Sequence, residues 1–298
     1  MNSFSRKLIA FSDLIRLRKQ YGTGLLILPA MWSLFIASGG RPSIELIIIF
    51  TLGAFLMRSA GCAVNDIADR NLDGLVERTS NRPLPEGRIK VWEAVLVFTS
   101  LSALAFLLVL TLNKLTILLS FVAVIMAVAY PFVKRVSFFP QAFLGAAFGW
   151  GAVMAWSAVT GTVSLVAVLI FLANIFFSMA YDTIYALMDI EDDKKAGVKS
   201  TAIFFEKKVY GTVIIFYFFM FLILGLAGWL TGDGIFYYLF LLGAFFFSII
   251  KVMNLKSFAE EKNSVKTSEY KLVVLKTFTS NVWTGFVILI GIIIELNL

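Results

Sequence analysis

The chain has 298 residues, 59% hydrophobic, 15% aromatic and only 15% charged, with a mean hydropathy of +0.88. Charged residues make up about a quarter of an ordinary soluble domain, so this composition reads as a single integral membrane domain. With one cysteine and no histidine, an intrachain disulfide, a His-ligated haem and the usual zinc sites are excluded, and the net charge of +7 is spread over membrane-flanking loops rather than gathered for nucleic acid.

Residues 1–20 are basic and amphipathic, lack a signal-peptide core or cleavage site, and read as a short interfacial segment. Nine apolar stretches then follow, roughly 22–39, 44–64, 91–111, 115–133, 138–158, 163–181, 209–230, 235–251 and 272–294, each near the ~20 residues a spanning helix needs. They predict an all-α polytopic membrane protein, nine transmembrane helices in one bundle. Long polar loops fall at 65–90, 182–208 and 252–271. Cys62 lies in an apolar run as a small core residue, and Gly145, Gly149 and Gly151 in the fifth stretch permit close helix packing. If the N-terminus is cytoplasmic and all nine stretches cross, 23 of the 26 basic residues fall inside, and only Arg41 and Lys114 fall outside, with Arg58 within a span. So one-sided a distribution supports the count and puts loops 65–90 and 182–208 on the cytoplasmic side.

Those two loops carry unexpected acids. In "NDIADRNLD", Asn65, Asp69 and Asp73 are spaced i, i+4, i+8, and in "YDTIYALMDIEDD" Tyr185, Asp189 and Asp193 repeat that spacing, with Asp182 on the same face. Stacked carboxylates at a membrane boundary repel unless a cation neutralises them, and oxygen donors without His or Cys select Mg²⁺. Mg²⁺ is commonly shared with substrate phosphates, so two facing acidic columns suit a diphosphate, with Arg78, Arg82 and Lys199 available for its remaining oxygens. Arg58 shares a face with Asn65 inside a span, and with Asp66 it reads as support behind the metal ligands. The "RPLP" turn, Arg82 to Pro85, stiffens the loop and aims Arg82. Aromatic faces that could meet a cation by cation–π contact include Tyr130, Phe148, Trp150, Tyr181 and Tyr185.

"NDIADRNLDGLVERTSNRPLPEG" and "YDTIYALMDIEDDKKAGVKSTAIFF" resemble the two Asp-rich signatures of the UbiA superfamily of intramembrane aromatic prenyltransferases, and "YPFVKRVSFFPQAFLGAAFGW" is most similar to its 4-hydroxybenzoate polyprenyltransferase branch. The resemblance implies a nine-helix bundle around a central cavity open sideways to lipid. It also implies transfer of a polyprenyl group from its diphosphate to the ring of 4-hydroxybenzoate, with Mg²⁺, in ubiquinone biosynthesis. The lack of a convincing presequence in residues 1–20 favours a bacterial inner membrane, with a mitochondrial inner membrane as the open alternative. On that resemblance Asn65, Asp69, Asp73, Asp189 and Asp193 hold metal, the four aspartates being catalytic. Arg78, Arg82 and Lys199 bind diphosphate, and Arg135, Asp182 and Tyr185 meet the aromatic acid. The chain departs from the family at Lys19-Gln20-Tyr21-Gly22, where a proline commonly follows the lysine, and at Leu75, where relatives commonly carry histidine. A same-fold transferase with a naphthoate, homogentisate or haem acceptor stays open, as does an ion-coupled transporter.

Overall fold

The computed structural model describes residues 3–71, 73–75, 79–261 and 267–298, and among these it contains helices and no β-strand. α1 (Ser3–Leu14) is the amphipathic segment. Ala10 and Leu14 are buried against Ala63, Ile89 and Ala94, while Leu8 and Leu17 stay exposed. Ion pairs clamp it at both ends, Lys7 to Glu93 at 2.7 Å and Asp13 to Arg88 at 2.8 Å.

α2 (Tyr21–Ala37) is a 17-residue apolar helix. α3 (Ile44–Asp69) begins at Ser43, whose side chain accepts from Leu46 N at 3.2 Å, as an N-cap should. It runs past residue 64 to Asp69 because the acids of its last turns find cationic partners. α4 (Val91–Val109), α5 (Lys114–Val136), α6 (Pro140–Thr160) and α7 (Leu165–Ala186) follow. Two short helices, α8 (Ile190–Ala196) and α9 (Thr201–Phe205), occupy the loop expected at 182–208. α10 (Val209–Thr231) and α11 (Ile235–Glu261) complete the middle of the chain, α11 outrunning its expected end at 251. The last apolar stretch is two helices, α12 (Ser268–Thr279) and α13 (Asn281–Asn297). At the break, Asn281 Nδ2 donates to the carbonyls of Thr277 and Phe278 at 3.1 and 3.0 Å, and its Oδ1 accepts from the Tyr217 hydroxyl at 2.5 Å.

Among the described residues, eight segments are long and apolar enough to cross a membrane, α9–α10 and α12–α13 each counting as one, and α2 is a ninth, shorter apolar helix. The two halves pack differently. α7, α10, α11, α13 and the inner face of α2 form one continuous core around Trp32, Phe177, Tyr181, Tyr217 and Tyr237. α6 lies close on α7, since a Cβ on Gly145 would meet Ile175 Cα at 2.6 Å. α4 buries only Ala94 and Ala105. Between α2, α3, α4, α5 and α6 the bundle is hollow.

Candidate functional site

The hollow is a cavity of about 1060 Å³ that runs from the ends of α3 and α7 carrying the acids down to Ile49, Leu112 and Met154. Its lower walls are apolar. Its upper end is polar, bordered by Arg16, Arg58, Asn65, Arg82, Asp182, Asp189, Asp193 and Lys199. The structure therefore brings most of the sequence-predicted residues to one mouth.

The first motif ends α3. Asn65 faces the cavity, and the three aspartates are buried: Asp66 and Asp69 are 0% exposed and Asp73 is 5% exposed. Buried carboxylates need cations, and each has one. Arg16 grips Asp66 with both guanidinium nitrogens, Nη2 to Oδ1 at 2.6 Å and Nη1 to Oδ2 at 3.2 Å. Arg82 Nη1 reaches Asp66 Oδ1 at 3.1 Å and both oxygens of Asp73 at 2.9 and 2.8 Å. Arg135 Nη2 lies 3.8 Å from Asp69 Oδ1 and donates to the Ala68 carbonyl at 2.6 Å. Burial raises the Asp73 carboxyl above its ordinary pKa, and Arg82 opposes that rise. Burial works against the Arg16 charge, but Asp66, Cys62 and Asp73 together more than offset it and raise the Arg16 pKa above its ordinary value. The turn after Arg82 is fixed by Glu86 N to the Arg82 carbonyl at 3.1 Å and Ile89 N to that of Pro83 at 3.2 Å, with Ile89 buried. Beside this turn the Arg82 side chain is directed at two aspartates. Arg78 lies outside the described residues.

The second motif is not one continuous helical column. α7 ends at Ala186, and three tight turns carry the chain to Asp189, whose N–H bonds the Ala186 carbonyl at 3.2 Å. α8 then starts, with Asp193 N bonding the Asp189 carbonyl at 2.8 Å. Acids fill the first turn of α8, lysines fill its last, and Gly197 caps it at φ 69°, the charge order a helix dipole favours. Asp182, Tyr185, Asp189 and Asp193 still all reach the cavity. Lys199 borders it too, its Nζ 3.2 Å from the Val136 carbonyl and 5.2 Å from the Phe138 ring centroid.

Arg58 lines the cavity wall itself. Its guanidinium lies over Gly22, where a Cβ would meet Nε at 2.4 Å, and Nη1 contacts the sulfur of buried Cys62. Its Nε is buried without a hydrogen-bond partner among the described residues. Arg135 instead borders a neighbouring recess with Arg70, Asn71 and Phe132, apart from Asp182 and Tyr185. Tyr130, Phe148, Tyr181 and Tyr185 line the cavity, whereas Trp150 donates to the Leu119 carbonyl at 2.9 Å. Two further residues at the mouth were not among the sequence candidates. Phe278 packs against Tyr185 with ring centroids 4.6 Å apart and the rings tilted by 50°. Arg16 reads in the sequence only as one of several flanking charges.

Among the described residues no three acids form a ready-made metal cage. The donors at the mouth are nonetheless all hard oxygens, set on two lips of an open cavity. That suits Mg²⁺, which keeps waters and takes part of its shell from substrate phosphates.

The model of the UbiA prenyltransferase family matches residues 26–273. The chain is 43% identical over 293 residues to the 4-hydroxybenzoate octaprenyltransferase of Psychromonas ingrahamii, covering 98% of each chain. It is 44% identical over 283 residues to the enzyme of the same name from Serratia proteamaculans, covering 95% of this chain and 94% of that one. Among solved structures it resembles a UbiA homolog from Aeropyrum pernix, with a TM-score of 0.71, 24% identity, and 91% of this chain and 97% of that one covered. It also resembles a UbiA homolog from Archaeoglobus fulgidus bound to GPP and Mg²⁺, with a TM-score of 0.64, 19% identity, and 94% and 99% covered.

Proposed function

The chain belongs to the UbiA prenyltransferase family, and from that premise we propose that it transfers a polyprenyl group from polyprenyl diphosphate to the ring of 4-hydroxybenzoate, ortho to the hydroxyl. The observation that carries the reading is a cavity with a charged mouth and an apolar shaft, the shape of a diphosphate with a lipid tail. Relatives named for this reaction match the chain over nearly its whole length, which supports the choice of acceptor. Their bacterial origin, together with the one-sided basic residues, supports a bacterial inner membrane with the N-terminus and both motifs on the cytoplasmic side.

Asn65, Asp69, Asp73, Asp189 and Asp193 would hold Mg²⁺, which when bound neutralises charge growing on the leaving diphosphate. Lys199 and Arg82 offer cations to the remaining phosphate oxygens, Arg78 joining them from the same loop. As the C1–O bond breaks, the allylic cation left in the shaft meets the faces of Tyr181, Tyr185 and Phe278. The ring carbon ortho to the phenol then attacks, and a proton is lost. Apolar walls keep water from quenching the cation. Asp182 and Tyr185 border the space for the acceptor ring. Its carboxylate needs a cation, and the Arg58 guanidinium, which lines the cavity wall, supplies one beside that space. Arg135 is the alternative partner, reached through the adjoining recess.

The test is prenyl transfer to radiolabelled 4-hydroxybenzoate in membranes, with Mg²⁺ and with EDTA, for the wild type and Asp189→Ala. The expected result is product that requires both Mg²⁺ and Asp189. No product with 4-hydroxybenzoate but product with a naphthoate or homogentisate would move the acceptor, and no product with any acceptor would overturn the reading.

A further inference from the structure

We propose that Arg16 is a positioning residue for prenyl transfer. By holding Asp66 it leaves Arg82 to span Asp66 and Asp73, and so it governs binding of the prenyl diphosphate through Arg82. The proposal rests on the prenyl-transfer reading above.

The geometry at Asp66 carries it. Asp66 is fully buried, and its Oδ1 is shared by two arginines, the shorter contact being Arg16 Nη2 at 2.6 Å and the longer Arg82 Nη1 at 3.1 Å. The same Arg82 nitrogen makes two further bonds, to the oxygens of Asp73. One donor is therefore divided between two carboxylates, and Arg16 sets the division. Without Arg16, Asp66 would be a buried carboxylate with Arg82 as its remaining cation among the described residues. Such a charge draws its partner in strongly, because leaving it unpaired is costly. Arg82 would then be pulled from Asp73 and from any phosphate at the cavity mouth.

The backbone aims Arg16 at this task. Its φ is +54°, the left-handed region that a bulky residue rarely enters, and such a conformation persists only when its surroundings fix it. Here Arg16 Nη1 also donates to the Leu14 carbonyl at 2.9 Å, Gln20 Nε2 donates to the Arg16 carbonyl at 3.3 Å, and Leu14 is fully buried. The same segment is tied to the Arg82 loop from a second point. Arg88 pairs with Asp13 at 2.8 Å while donating to the Asn81 carbonyl at 2.8 Å, beside Arg82. The end of α1 and the Arg82 loop are thus one unit with Asp66 at its centre.

The experiment is a double-mutant cycle in proteoliposomes with R16Q, D66N and the pair, plus R16K, reading KM for the prenyl diphosphate and for 4-hydroxybenzoate separately. R16Q is expected to raise the donor KM about tenfold while the acceptor KM stays within about twofold. The pair should be no more than about twofold worse than R16Q alone, since residues acting through one another are not additive. R16K, which keeps charge and stem but not the two-pronged grip, should fall between the wild type and R16Q. Losses that multiply in the pair would overturn the proposal, because Arg16 would then bind the diphosphate directly. A donor KM unchanged in R16Q, or both KM values rising together, would also overturn it. If R16Q does not insert, R16K decides, and a wild-type donor KM in R16K refutes the role. Absence of product from the wild type refutes the prenyl-transfer reading instead, so the two failures are distinct.

Discussion

At the scale of single residues, the mouth of the cavity is a problem in charge placement. Asp66, Asp69 and Asp73 are all buried, and each is answered by an arginine, from the end of α1, the loop after α3, or the end of α5. Arg58 differs in lining the cavity wall beside Cys62, with no carboxylate against it among the described residues. Arg58→Gln is therefore expected to raise KM for 4-hydroxybenzoate about tenfold, the scale of a lost charged hydrogen bond, with the donor KM little changed. Arg135→Gln measured alongside separates the two candidate carboxylate partners, and an effect confined to Arg135→Gln would count against Arg58. The acids were legible from their four-residue spacing, and Arg82 from its place in the basic loop after the first motif. Arg16 was not, because its partner is fifty residues away and nothing in its local sequence distinguishes it from Arg18 or Lys19. Phe278 was hidden for the same reason, as one phenylalanine among 30.

At the scale of elements, hydropathy located every apolar segment but not where helices start and stop. α3 and α11 outrun their apolar stretches, because charged residues extend a helix readily once they have partners or solvent. The breaks after Ala186 and at Ser280 carry no proline or glycine to announce them. They depend on tertiary bonds, such as Asn281 with Tyr217. The glycines of α6 were legible, and their packing gives a direct test. Gly145→Val would place a Cβ 2.6 Å from Ile175 Cα and 2.9 Å from the Ile175 carbonyl oxygen. Backbone cannot yield as a side-chain tip can, so α6 and α7 must part, at a cost of about 1–3 kcal/mol or more. The expected outcome is a lower melting temperature in detergent, and a melting temperature equal to that of the wild type would show that the two helices are not pressed together there.

At the scale of the whole molecule, a solid half supports a hollow one. The single bundle was legible in the sequence, but the contrast between its filled and hollow sides was not. α7 and its neighbours fill their share of the bundle, while α4 and α5 form a wall that touches little behind it. The length of the shaft should therefore govern the donor. Ala105 is a buried cavity-lining residue of α4, and at ~1.5 Å per residue it lies ~21 Å along the helix from Val91. Ala105→Phe is expected to cut transfer from an eight-unit donor at least tenfold, in keeping with overpacking a fitted site, while sparing a two-unit donor. Parallel assays with both donors check this, and equal losses would place the tail elsewhere.

That wall has exposed apolar residues, among them Leu104, Leu107, Leu118, Phe121 and Ile125, and on the proposed prenyl-transfer reading the enzyme's donor and product are solutes of the bilayer rather than of water. Their effective concentration is then a mole fraction in a sheet, and the bulk value in the tube has little meaning. Adding inert phospholipid at constant total donor should slow the reaction in proportion, while diluting the whole suspension with buffer should leave turnover nearly unchanged at saturating 4-hydroxybenzoate and Mg²⁺. A rate that followed bulk donor concentration instead would mean that the tail enters from water.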